Sequence, residues 1–296
     1  MEEMKYPPVN LASPTVVKEL LNMEGIRPRR SMGQNFLVDS NILRIIAEAA
    51  GLSRSDAVIE VGAGLGALTR VLTENCSSVF ALESDHRLAG ILKRELGSAE
   101  NLRIVEADAA RFDYSTIWSK ERPGQVKMVA NLPYQIAATL LVDCLYRYPW
   151  IKEYTVMVQR EIADRFTSSP GSRDYSSATV KVLRMATVQK IARVSRNSFY
   201  PKPRVDSTIL RINRRTGVDR PERPGMEQFF NLIVTASFQQ RRKKLVNSLA
   251  TSSGPALDRA QIRDSLIMMG KDPGCRAEEL SPEDFIMLAG FLENWC

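Results

Sequence analysis

Asn131-Leu132-Pro133-Tyr134 brings together an amide, a rigid turn and an aromatic ring at the end of the apolar run Val126 to Ala130. Pro133 withholds a backbone donor and fixes the turn, so the chain leaves a strand ladder here rather than extending it. An amide can recognise an exocyclic amine, and a ring can stack on a flat base. Placed at the carboxyl edge of a sheet, where α/β folds hold their ligands, the pair suits chemistry on a nucleobase.

A second constellation is Glu60-Val61-Gly62-Ala63-Gly64-Leu65-Gly66, set between a strand and a helix. Glycines there let the backbone approach a ligand, and the helix N-terminus favours an anion or carboxylate. Glu83 ends the next strand, where a carboxylate accepts from a ribose diol. Both features also fit a dinucleotide fingerprint through Gly62, Gly64 and Ala67, so alone they leave a nicotinamide enzyme open. Asp108, after a third strand, can pair with an adenine amino group, as is typical of methyltransferases; a helix cap is its competing reading.

The elements that must position these groups alternate. After a Ser13-Pro14 start, a helix runs to about Glu24 and stops at Gly25; Asp39 or Ser40 caps a second helix through Ala50. Between them Arg27 to Leu37 shows no period and reads as a loop. Strands over Ala57 to Val61, Ser78 to Leu82, Asn101 to Ala107, Val126 to Ala130 and Tyr154 to Gln159 alternate with helices. That spacing predicts a mainly parallel, Rossmann-like sheet with helices on both faces. Ala178 to Met185, Val188 to Val194 and Val205 to Ile212 read as strands closing it. The Pro- and Gly-containing stretch Asn213 to Gly225 reads as a linker. Beyond it only helices are expected: Phe229 to Phe238, Arg242 to Leu249, Asp258 to Met269 and Pro282 to Trp295. Residues 1–213 are thus expected to form a catalytic domain, and 214–296 a small all-helical one.

A net charge of +7 favours a polyanionic partner without identifying it. No apolar run reaches the length of a membrane span, and Met1 to Lys5 does not read as a secretion signal, so a cytoplasmic protein is expected. The single histidine, His86, excludes histidine-built metal sites and makes Ser-His-Asp chemistry improbable; a solvated surface position suits it better. Cys76, Cys144, Cys275 and Cys296 lack metal-ligand spacing and read as reduced thiols.

Taken with Gly33-Gln34-Asn35-Phe36-Leu37, Phe199-Tyr200-Pro201-Lys202-Pro203-Arg204-Val205-Asp206-Ser207 and Phe238-Gln239-Gln240-Arg241-Arg242-Lys243-Lys244, these motifs cover nearly the whole chain. In order and spacing it resembles the small-subunit (16S) ribosomal RNA adenine N6,N6-dimethyltransferases of the KsgA/RsmA type. The resemblance implies S-adenosylmethionine as cofactor, held by Asn35, Leu37, Gly62, Glu83, Asp108 and Asn131. It implies methyl transfer to N6 of two adjacent adenosines near the 3′ end of 16S rRNA in assembling small subunits. Tyr134 would stack on the target adenine and Phe199 support its other side, while Asn131 and a carbonyl near Pro133 accept the amine hydrogens. Core packing is the plainer reading of both rings, and loop anchoring of Phe36 and Leu37.

Arg27, Arg29 and Arg30 flank the cofactor loop. Arg241, Arg242, Lys243 and Lys244 are candidate RNA contacts, although four consecutive helical charges cannot share one face. A monomer is expected, with no metal. Three other readings carry different expectations: the large-subunit adenine methyltransferases of macrolide resistance, a nicotinamide-dependent dehydrogenase, and a non-catalytic assembly factor on the same scaffold. The dehydrogenase gives Asn131-Leu132-Pro133-Tyr134 no role.

Overall fold

The computed structural model describes residues 10–29, 33–117, 125–217, 225–251 and 257–293. In chain order the elements are α1 Pro14–Met23, β1 Phe36–Leu37, α2 Ser40–Ala50, β2 Ala57–Val61, α3 Ala67–Asn75, β3 Ser78–Glu83, α4 His86–Leu96 and β4 Leu102–Glu106. They continue with β5 Val126–Asn131, α5 Ala137–Arg147, β6 Ile151–Gln159, α6 Arg160–Phe166, α7 Ser177–Met185, β7 Ala186–Val194, β8 Phe199–Tyr200 and β9 Ser207–Arg214. Helices α8 Met226–Phe238, α9 Leu245–Ala250, α10 Arg259–Met268 and α11 Pro282–Glu293 follow.

The chain divides into two compact units, one of residues 1–163 with 189–213, the other of residues 164–188 with 214–296. The first is built on a seven-stranded sheet of order β4-β3-β2-β5-β6-β9-β7. Neighbours from β4 to β6 run parallel, and β9 pairs antiparallel with β6. From β2 the chain steps outward to β3 and β4, then returns to place β5 on β2's other side. That reversal opens a crevice at the carboxyl ends of β2 and β5.

The strands read as apolar runs because both faces are covered: all five residues of β2 are buried. Val58, Val79, Val129, Met157 and Ile209 meet Ile42, Ile46, Leu68 and Leu72 of α2 and α3 on one face. Caps stop those helices where the sequence indicates. Asp39 Oδ1 accepts from the amides of Asn41 and Ile42, and Gly51 takes the left-handed conformation that ends α2.

Three expectations are corrected. Ala178 to Met185 is not a strand but part of α7, begun by Thr179 Oγ1 accepting from the Ser176 amide at 3.1 Å. Its β-branched residues suggest a strand, yet Thr179, Val180, Val182 and Met185 are buried at helical spacing. Residues 164–188 belong with the helical unit rather than with the first domain: Tyr175 donates to the Leu280 carbonyl at 2.9 Å and packs in an aromatic chain with Phe238 and Phe285. The stretch read as a loop up to Leu37 ends in β1, which pairs antiparallel with β8: Phe36 faces Tyr200 and Leu37 faces Phe199. Pairing between distant segments leaves no local period to detect.

Within the second unit, Phe230, Ile233, Val234, Leu249, Ile262, Leu266, Phe285 and Leu288 form the core. No helix among the described residues is long and apolar enough to cross a membrane. Cys76, Cys144 and Cys275 are buried free thiols. Arg30, Trp295, Cys296 and most of the expected linker, residues 218–224, lie outside the described residues.

Candidate active site

Two adjoining clefts open at the carboxyl edge of the first unit's sheet. The first is lined by Gly33, Asn35, Gly62, Glu83, Asn131 and Pro133 among others. The second is lined by Gly33, Asn35, Tyr134, Gln159, Lys202 and Arg204 among others. Gly33 and Asn35 border both, so a group bound in one lies beside a group bound in the other.

Backbone conformation builds this edge. Gly62 has φ 73°, and a Cβ there would come to 3.3 Å from the Pro133 ring, so a side chain would push the Gly-rich turn away from the Asn-Leu-Pro-Tyr turn. Gly33, with φ 68°, sits so close to Gln135 that a Cβ would meet its Oε1 at 2.6 Å. The motifs are glycine-rich because they touch.

Glu83 is 7 % exposed, and its carboxylate is held by the sheet edge itself: Oε2 accepts from the Gly64 amide at 2.8 Å and Oε1 from the Asp85 amide at 2.9 Å. Burial raises its proton affinity, opposed by those amides. Glu60, at 1 % exposure, is pushed up to about 8, chiefly by burial and further by the nearby Glu83, against a 2.6 Å hydrogen bond donated by Thr69. Two buried carboxyls thus face one cleft, which favours a ligand that brings hydrogen-bond donors or positive charge.

Asn131 closes β5, and its Nδ2 donates to the Asn35 carbonyl at 3.4 Å, joining the turn to the loop that borders both clefts. Tyr134 is half-buried, its hydroxyl 2.7 Å from Ser207 Oγ, which orients the ring from its polar end. Burial raises the phenol's pKa despite that bond. The Pro133 carbonyl accepts from the Ile136 and Ala137 amides at 3.2 Å each, so it starts α5. Pro133 therefore shapes the turn, and its own carbonyl is already engaged.

Asn35, Leu37, Gly62, Glu83, Asn131, Pro133 and Tyr134 are brought together around the two clefts; Phe199 and Asp108 line neither. Leu37 borders the first cleft, although it is 6 % exposed and packed in the core beside α2. Phe199 is 4 % exposed in that same cluster, so it presents no open ring face here. Asp108 lies just past β4, exposed, with Oδ1 accepting from the Ala110 amide at 2.9 Å and Oδ2 3.7 Å from Arg111. It caps its own turn and is not among the cleft's lining residues. His86 is exposed at the start of α4.

In the second unit, Arg241 to Lys244 precede α9 rather than lying on it, so the one-face objection to four helical charges does not apply. All four are exposed, but Arg241 is engaged: Nε donates to Glu278 at 2.6 Å and Nη2 to the Ser172 carbonyl. Arg27 and Arg29 are exposed near the cleft-bordering loop of the first unit.

Gln34 and Asp85 escaped the sequence reading. Gln34 Nε2 donates to Asp85 Oδ2 at 3.1 Å although the residues are 51 positions apart. The adjacency of Gln34 to Asn35, and of Asp85 to Glu83, was the available signal.

A mainly parallel sheet with a glycine turn after its first core strand, a buried acid ending the next, and an amide-aromatic turn after β5 defines an S-adenosylmethionine-dependent methyltransferase. Residues 25–289 match the ribosomal RNA adenine dimethylase family, and the chain belongs to it. Among curated relatives, a ribosomal RNA small subunit methyltransferase A from Rubrobacter xylanophilus is 40 % identical, covering 88 % of this chain and 94 % of that protein. One of the same name from Natranaerobius thermophilus is 35 % identical over 97 % of this chain and 98 % of its own length. Among solved structures, the 23S rRNA methyltransferase ErmE superposes with a TM-score of 0.62 at 28 % identity, covering 88 % of this chain and all of that one. A dimethyladenosine transferase from Plasmodium falciparum shares the fold with a TM-score of 0.68 at 24 % identity, over 84 % of this chain and 94 % of its own.

Proposed function

We propose that this chain dimethylates N6 of two adjacent adenosines near the 3′ end of 16S rRNA, acting as a cytoplasmic monomer on assembling small subunits. The observation that carries the reading is the pair of clefts sharing Gly33 and Asn35, one bearing Glu83 and Asn131, the other Tyr134. Small-subunit enzymes match at 35–40 % identity and the 23S enzyme at 28 %, which supports the small subunit as substrate.

S-adenosylmethionine supplies an electrophilic methyl group on a sulfonium that already carries the positive charge. The first cleft suits it: the Gly62 backbone would line its methionine portion, Glu83 would accept from the ribose hydroxyls, and Asn35 and Leu37 would border it from the opposite loop. Asp108 would hold the adenine amine, which requires its solvent-facing carboxylate to turn from its own cap.

The exocyclic amine of adenine is a weak nucleophile because its lone pair is delocalised into the ring, so alignment matters more than a strong base. Asn131 Oδ1 accepts one amine hydrogen. With the Pro133 carbonyl committed to α5, the Leu132 carbonyl is the turn's remaining acceptor for the other. Charge developing on nitrogen meets these dipoles and the Tyr134 face, the aromatic share being about 1–2 kcal/mol when desolvated. Phe199 backs the site from the core. The proton then leaves to water, so no catalytic histidine is required. The target base enters unstacked from its strand. Arg242, Lys243 and Lys244, with Arg241 where its ion pair yields, contact rRNA phosphates, and the helical unit serves as the RNA-binding domain.

Transfer of labelled methyl from S-adenosylmethionine to unmodified small subunits, with large subunits in parallel and the modified base mapped, tests the reading. Dimethyladenosine at adjacent positions of 16S rRNA is expected. Label confined to large-subunit RNA would overturn it.

A further inference from the structure

The segment bordering both clefts carries no helix, so side chains must fix it. Gln34, between Gly33 and Asn35, is 9 % exposed and uses both ends of its amide. Oε1 accepts from the Arg29 amide at 2.7 Å, and Nε2 donates to Asp85 Oδ2 at 3.1 Å. Asp85 is itself fixed, at 5 % exposure. Arg87 reaches Oδ1 through its backbone amide and Nε, and Oδ2 through Nη2, while the Asp85 amide donates to Glu83 Oε1. A continuous run of hydrogen bonds therefore links the Glu83 carboxylate to the backbone of the opposite wall. Burial would push the Asp85 carboxyl up, but Arg87 and Gln34 bring it down to about 2. The bond from Gln34 is thus to an ionised acceptor, roughly twice as strong as one between neutral groups.

We propose that Gln34 is a positioning residue for cofactor binding, holding Gly33 and Asn35 at a fixed distance from Glu83 through Asp85. The proposal rests on the first cleft, the one that Glu83 lines, being the S-adenosylmethionine site. Gln34 touches no reacting atom; it sets the width of the cleft by joining its two walls. No shorter or hydroxylated side chain spans Arg29 and Asp85 together. A glutamate keeps the size and the Arg29 contact but sets carboxylate against carboxylate.

Three proteins test it: wild type, Gln34→Glu, and Gln34→Glu combined with Asp85→Asn, in which the new amide donates to the new carboxylate and the pair is restored with roles exchanged. Affinity for S-adenosylmethionine is measured by calorimetry, and methyl transfer to small subunits at varied cofactor. Gln34→Glu should raise Kd and the cofactor KM about tenfold, the loss of one charge-assisted bond. Its kcat at saturating cofactor should stay within about twofold, and its cofactor-free Tm should fall by no more than about 3–6 °C, leaving it folded in the assay. The double variant should recover most of the affinity. Unchanged Kd in Gln34→Glu overturns the proposal, as does a lower kcat without a change in Kd, or a loss that follows Tm and is not regained in the double variant. Failure of the wild-type protein to bind S-adenosylmethionine would overturn the cleft assignment, and the positioning role with it.

Discussion

Strand β5 begins with a buried polar group and ends with a half-buried one, and the two are managed oppositely. At its amino end Lys127 is almost wholly buried, yet every direction is answered. Nζ donates to the Ala50 and Gly51 carbonyls at 3.2 and 2.8 Å and lies 3.0 Å from Asp56 and 3.8 Å from Glu153. The cation thereby closes the C-terminal end of α2, whose last carbonyls have no partner within the helix. At the carboxyl end Asn131 makes one long bond, and beside it Glu60 and Glu83 are held in burial that disfavours their charge. At one edge the buried cation meets carboxylates; at the other, two buried carboxyls meet backbone amides and a hydroxyl. Such a division is what a fold makes when one edge serves stability and the other awaits a ligand.

Lys127→Met should break the satisfied edge hardest. It strands Asp56 and two helix carbonyls, so unfolding free energy should fall by about 3–5 kcal/mol by chemical denaturation. Cofactor affinity measured below the lowered Tm should hold; a matching loss of affinity would mean the two edges are not separate. Asn131→Ala should do the reverse, with methyl transfer reduced about 10²–10³-fold, the scale of losing one aligned catalytic dipole, and little change in Tm. Equal losses in stability and rate would make Asn131 structural.

Glu60→Gln sharpens the contrast by pH. A carboxyl whose proton is held to about 8 in the folded chain, against an ordinary value near 4.5, binds more protons folded than unfolded. Its contribution to stability is therefore full below the unfolded value and is lost as pH rises toward 8. The cofactor-free wild type should lose up to about 1.4 kcal/mol per pH unit through that window, and Glu60→Gln should flatten the slope. An unchanged slope would mean that burial does not hold the proton on Glu60.

Much of this edge was legible in sequence because its signals are local: Gly62 and Gly64 after an apolar run, Glu83 ending another, Pro133 fixing a turn. What failed was whatever depends on distant partners. Valines in α7 suggest a strand until Tyr175 and Val180 are seen packed among α8 to α11. Phe36 and Leu37 carry no period because their partners are Tyr200 and Phe199. Lys127 looks like an interruption in a strand until Asp56 and Glu153 are placed beside it. Phe199 and Asp108 show the opposite limit, since their motif positions are plain but the core burial of one and the self-capping of the other are not.

The pairing of β1 with β8 also has a consequence for synthesis. The wall bordering both clefts is stitched to a segment that the ribosome delivers only after β6 and the first part of the helical unit have emerged, and β9 comes later still. A nascent chain ending at β6 would hold the glycine turn, Glu83 and Asn131 but neither the strand that backs the loop nor Ser207, the partner of the Tyr134 hydroxyl. The catalytic unit therefore cannot mature as its first half leaves the exit tunnel; its closure waits for a late return of the chain.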